Sequence, residues 1–102
     1  MRTQGSRFLA ELFEVAEAET PYGGRAVTYE PLGFAWVKTG ARRKRERNGP
    51  DGTRRVETVT AEARADPRLA MGRMLRFGGA DWRIAGAESV GGRGVLDLER
   101  LR

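Results

Sequence analysis

Residues 41–55, ARRKRERNGPDGTRR, hold the densest cluster of chemically active side chains in this 102-residue sequence. Seven cations (Arg42, Arg43, Lys44, Arg45, Arg47, Arg54 and Arg55) stand against two carboxylates, Glu46 and Asp51, a net charge of +5. That equals the charge of the whole chain, because the remaining residues balance at 12 basic and 12 acidic side chains. A chain that is neutral outside one Gly/Pro/Asn-punctuated segment concentrates its field there, as elements that touch polyanions do. The bland alternative is a solvated hairpin tip whose charge serves only solubility. Like charges packed this densely repel each other, and that repulsion favours a polyanion or an acidic partner nearby.

The rest of the inventory points away from catalysis. With no histidine and no cysteine, the chain lacks the usual general base at neutral pH, the commonest metal ligand, and any thiolate or disulfide chemistry. Neither serine, Ser6 or Ser89, has a histidine to activate it. Carboxylate pairs such as Glu11 with Glu14 work as acid and base only in a shared, desolvated site; on an exposed face they are solvating charges. Gly91-Gly92-Arg93-Gly94 has the glycines of a phosphate cradle but no following Lys-Ser/Thr and no helix start, so it reads as a tight β-turn. The acidic residues lack calcium-loop spacing. The expectation is a protein that is not an enzyme and has neither cofactor nor metal. Of the 19 basic residues 17 are arginine, the bias that a GC-rich genome produces.

The elements that position the basic segment are read from turn signals. Pro21-Tyr22-Gly23-Gly24, Gly40, Asn48 to Gly52, Asp66-Pro67, Gly78 to Asp81 and Gly91 to Gly94 punctuate short apolar runs, as in an all-β chain. Residues 7–18 carry both a helical stripe (Phe8, Leu12, Val15) and a passable strand face (Leu9, Phe13, Val15); a strand is expected there. Val27 and Tyr29, then Phe34, Trp36 and Val37, suggest a strand pair or one bent strand interrupted at Pro31-Leu32-Gly33, where proline fits only an edge or a bulge. Val59, Ala61 and Ala63 face one way in a strand from Val56 to Ala65. Two hairpins follow, turning near Gly78–Asp81 and Gly91–Gly94, and Asp66 to Gly72 reads as one short helical turn or a wide loop. Trp82 and Ile84 are expected in the core. Trp36 is expected there too, with a subunit interface as its other place. One domain spans residues 1–102, with 40–55 as a flexible basic loop. The N-terminus shows no signal sequence, and no window nears the roughly 20 apolar residues of a membrane helix.

The order of these signals resembles a known family. A Tyr22-Gly23-Gly24 turn leads to Phe34-Ala35-Trp36-Val37, then a long polar loop, then a strand ending Arg64-Ala65-Asp66-Pro67-Arg68-Leu69. Gly72 to Phe77, Trp82-Arg83-Ile84 and a closing Val95 to Arg100 complete the series. The pattern is similar to the head–tail adaptor or head-closure (stopper) family of siphovirus-like phages, especially the versions carried by gene transfer agents. That resemblance implies a small antiparallel β-barrel of about six strands with at most one short helix. It implies a homo-oligomeric ring of roughly six or twelve copies at the neck of a virion or phage-like particle, assembled in the bacterial cytoplasm. The partners implied are a portal or adaptor protein on the head side, a tail terminator or tail tube protein on the tail side, and double-stranded DNA in the channel, without membrane. By position, the loop from Gly40 to Arg55 would line or close that channel. The N-terminal segment departs from the family pattern: it is shorter and more acidic, which leaves the first strand's partner open.

DNA threading a ring is met through its backbone charge, with no sequence readout, and an arginine cluster without a groove-entering helix suits that task. The alternative is a small basic OB or SH3-like nucleic-acid-binding domain acting as monomer or dimer, whose mark is surface aromatics beside basic residues. A tail-completion or ribosome-associated structural protein shares the same β-class and charge.

Overall fold

The computed structural model describes residues 6–49 and 52–101; within these, the side chains of residues 45, 47–49 and 54 stand outside the description. Six strands make the fold: β1 (Arg7–Glu19), β2 (Arg25–Gly49), β3 (Gly52–Arg64), β4 (Met74–Phe77), β5 (Ala80–Val90) and β6 (Arg93–Arg100). They close into an antiparallel barrel in the order β1-β2-β3-β6-β5-β4, and no helix occurs among the described residues. The all-β reading and the six-stranded barrel are therefore correct. The first strand pairs along β2 and closes the barrel on β4 through Glu11–Arg76, Leu12–Leu75 and Phe13–Met74.

Strand alternation builds the interior. Val59, Ala61 and Ala63 of β3 and Leu96 and Leu98 of β6 point inward with Trp82 and Ile84 of β5, all of them buried. Phe77 stacks on Trp82 with ring centroids 5.7 Å apart, and Phe8 tilts against Phe77 at 5.0 Å. Two expectations about faces need correction. On β1, Ala10 and Leu12 point inward while Leu9 is half exposed, the opposite phase to the face expected from Leu9, Phe13 and Val15. Phe13 is buried too, but on the other face, outside the core cluster, beneath the Tyr29 ring at 6.4 Å and the Arg76 guanidinium at 4.9 Å. Trp36 is 63% exposed rather than in the core, because Ala35 and Val37 on either side of it take the inward positions.

Pro31 does mark a bulge: Phe13 pairs with Pro31 and Leu12 with Gly33, leaving Leu32 as the extra residue. Gly33 has φ of +111°, and a Cβ there would meet the Arg68 guanidinium at 2.8 Å. Gly78-Gly79 and Gly91-Gly92 are two-residue hairpin turns with all four φ values positive, the turn geometry that matches strand twist. They are shorter than the expected turns, since Ala80 and Arg93 already belong to strands. Between β3 and β4, residues 65–73 form a turn-rich loop rather than a helical turn.

Candidate nucleic-acid interface

The basic segment is not a flexible loop but the outer part of the β2–β3 hairpin. Its ladder runs from Arg42–Val59 out to Gly49–Gly52, and residues 50 and 51 lie outside the described residues. Strand β6 covers β3 only from Thr58 to Arg64, so residues 52–57 pair with 44–49 alone. The result is a two-stranded ribbon that leaves the barrel for about 20 Å, at roughly 3.4 Å per residue. A second bulge lies at its root, where Gly40 and Ala41 oppose only Thr60 and re-aim the ribbon.

A two-stranded ribbon is marginally stable by itself, so its root is held by side chains. Glu57, mostly buried, accepts hydrogen bonds from Arg42 at 3.3 Å and from Arg100 at 3.1 Å. The Arg42 guanidinium also lies 5.6 Å from the Trp82 ring centroid, a cation–π contact that caps the core. Arg42 is therefore an anchor more than a free charge. Arg43, Lys44 and Arg55 are exposed, and none has an ion pair among the described residues. For Arg45, Arg47 and Arg54 only the backbone is described, and it lies in the same ribbon. The fold thus brings all seven expected residues onto one element. The register places Lys44 opposite Glu57 and Glu46 opposite Arg55, opposite charges without an ion pair between them, but Arg47 opposite Arg54. Like charges directly opposed destabilise a ribbon unless an anion lies near them.

β2 is long enough to form a second projecting ribbon at its other end. β4 meets β1 only at residues 11–13, so 14–19 pair with 25–30 alone. This ribbon carries Glu14, Glu17, Glu19 and Glu30 against Arg25, a net of −3. The neutral remainder expected from the sequence is in fact polarised, with an acidic ribbon at one end of β2 and a basic ribbon at the other. The molecule measures 54 × 33 × 25 Å along its principal axes.

Two features escaped the sequence reading. Asp66 and Arg68 form a bidentate pair with contacts of 2.7 to 3.1 Å, and Arg68 also donates to the Leu32 carbonyl at 2.9 Å and the Phe34 carbonyl at 3.2 Å. This clamp ties the 65–73 loop to the bulge of β2, and its hydrogen bonds hold the Asp66 carboxyl below its ordinary value. The second feature is an outer groove of about 1170 Å³, floored by Leu9, Phe34 and Trp36 and flanked by Arg7, Lys38 and Arg64. An alternating pattern that cannot be phased within Phe34-Ala35-Trp36-Val37 hides it from the sequence.

No protein-family model and no curated protein matches the sequence. Solved structures do match in three dimensions. A chain in the virion of a native gene transfer agent particle superposes with a TM-score of 0.66 at 24% identity, covering 97% of this chain and 96% of that one. The fold is that of a gene transfer agent virion component. The phage-like element PBSX protein xkdH from Bacillus subtilis superposes with a TM-score of 0.63 at 10% identity, over 96% of both chains. Both likenesses are of fold, over nearly the whole chain, and they fall on phage-related particles, as the sequence resemblance does.

Proposed function

We propose that the chain is a structural, non-catalytic subunit of a head–tail connector ring of the stopper or head-closure type in a phage-like particle or gene transfer agent. In this reading it joins the portal–adaptor complex to the tail, and its basic ribbon lines or closes the DNA exit channel. The observation that carries the reading is one projecting ribbon and its root, which hold the seven cations of residues 42–55, on a fold shared with a gene transfer agent virion chain. A ribbon is stiffer than a loop, so its cations reach a duplex on the ring axis as a preset array. Copies converging on one duplex act together, and phosphate contact needs no sequence readout.

The test uses particles whose subunits carry Arg43→Ser, Lys44→Ser and Arg55→Ser, with Arg42 kept as the root anchor. Assembled particles with lowered DNA retention or delivery support the reading. Normal retention and delivery by correctly assembled variant particles contradict it.

A second reading has its own support. Phe34 and Trp36 are 57% and 63% exposed beside Arg7 and Lys38, the arrangement of a base-stacking platform in a free-standing nucleic-acid-binding barrel. It requires preference for single strands over duplex, and quenching of Trp36 emission by oligonucleotide.

A further inference from the structure

The groove floored by Leu9, Phe34 and Trp36 is an apolar face left open in the monomer, the three side chains being 51%, 57% and 63% exposed. Its polar border is positive. Arg68 and Arg93 are neutralised by Asp66 and Glu62, but Arg7, Lys38 and Arg64 have no ion pair among the described residues. Elsewhere on the same molecule is a surface of opposite character. The β1–β2 ribbon exposes Tyr22 (96%) at its tip and Val27 (48%) along its length, while Tyr29 (46%) lies near its root against Phe13. The tip carboxylate Glu19 is likewise without an ion pair among the described residues. A chain cannot place its own tip in its own groove, because tip and groove lie on one antiparallel ribbon. From the Leu9–Trp36 pair to the Glu19–Arg25 pair is ten steps of the ladder, about 34 Å at roughly 3.4 Å per residue.

We infer that the acidic, tyrosine-bearing β1–β2 ribbon of one copy docks in the Trp36 groove of the next copy. Tyr22 packs on Trp36 and Phe34 there, and Glu19 faces Arg7, Lys38 and Arg64. Groove and tip are different patches, so the contact is heterologous: each copy gives one surface and receives the other. Such a contact generates a ring when its rotation closes. The inference rests on the ring proposed above and names the surfaces that build it. The basic ribbon, at the other end of β2, takes no part in this contact and stays available to DNA.

The native chain contains no cysteine, so introduced thiols are unambiguous. Tyr22→Cys and Trp36→Cys chains are mixed, both as concentrated purified protein and as co-assembled particles, then oxidised and mapped by mass spectrometry. The expected product is the heterotypic dimer, joined between position 22 of one chain and position 36 of the other, several-fold above either homotypic dimer. A charge-exchange series is independent of side-chain truncation. Arg7→Glu with Lys38→Glu abolishes the association, and adding Glu19→Lys to the same chain restores part of it. Predominant Trp36→Cys homodimers, or no cross-link in either preparation, overturn the inference. So does protection of the introduced thiol at position 36 by single-stranded oligonucleotide but not by a second copy. If the chain is absent from the particle neck, the connector reading fails, and the purified protein still decides the contact.

Discussion

Arg68 does more for this fold than its place in a surface loop suggests. Its guanidinium joins the Asp66 carboxylate to the Leu32 and Phe34 carbonyls, fixing the bulge that sets the inward and outward faces of β2. Gly33→Ala is predicted to destabilise by about 1–3 kcal/mol, through its positive φ and the clash with Arg68. In an Arg68→Met background the clash part disappears, so a double-mutant cycle by denaturant unfolding should show positive coupling rather than additivity. The same clamp sets a pH dependence. Because the hydrogen bonds from Arg68 depress the Asp66 carboxyl in the folded state, its contribution is complete above the ordinary carboxylate value. It is lost as pH falls through the lowered value. Thermal melts taken down into the acid range should therefore fall less steeply for Asp66→Asn than for the native chain. In the core, Trp82→Ala should cost roughly 3–5 kcal/mol, read as a drop in the denaturant midpoint. Burial of Trp82 and Ile84 was legible from a short apolar strand following a double-glycine turn. The position of Trp36 was not. Phe34-Ala35-Trp36-Val37 is apolar at every position, so only the register with β1 decides which pair faces in.

At the scale of elements, the turn signals identified four strand connections among the described residues, because glycines at positive φ and prolines act locally. What they missed is non-local. The stretch from 40 to 55 has the composition of a loop, yet it extends the β2–β3 ladder, since pairing already begun at Val37–Ala63 continues outward at little further entropic cost. The phase of β1 depends on its pairing with β2 and on closure against β4, neither of which the strand's own residues specify. The seven basic residues were legible as a set. That Arg42 is bound at the root by Glu57 and Trp82 was not, because both partners are distant in sequence. This division of labour is testable in solution. Arg43→Ser, Lys44→Ser and Arg55→Ser together should leave the unfolding midpoint unchanged and make the log-log salt slope of duplex binding shallower by about 2.7, at −0.9 per phosphate contact. Arg42→Ser should instead lower the unfolding midpoint.

The whole molecule is a closed barrel with two ribbons of opposite charge at the two ends of its longest strand. Polarity of this kind is little use to a solitary barrel but suits a repeated subunit. Acidic ribbon and Trp36 groove meet between neighbours, leaving the basic ribbons free to converge. The sequence disclosed the charge of the basic end and the acidity of the N-terminal segment, but not that Glu30 joins Glu14, Glu17 and Glu19 in one ribbon, which only the β1–β2 pairing brings about. The central claim is that the basic ribbon faces DNA inside a ring at the particle neck. A cryo-electron microscopy map of the neck, resolved well enough to trace β2 and β3, tests it most directly. The account predicts copies of this barrel arranged around the channel, with residues 42–55 pointing to the axis and the Trp36 groove filled by a neighbouring copy. A map with the basic ribbon on the outer rim, or with the chain elsewhere in the particle, would contradict it.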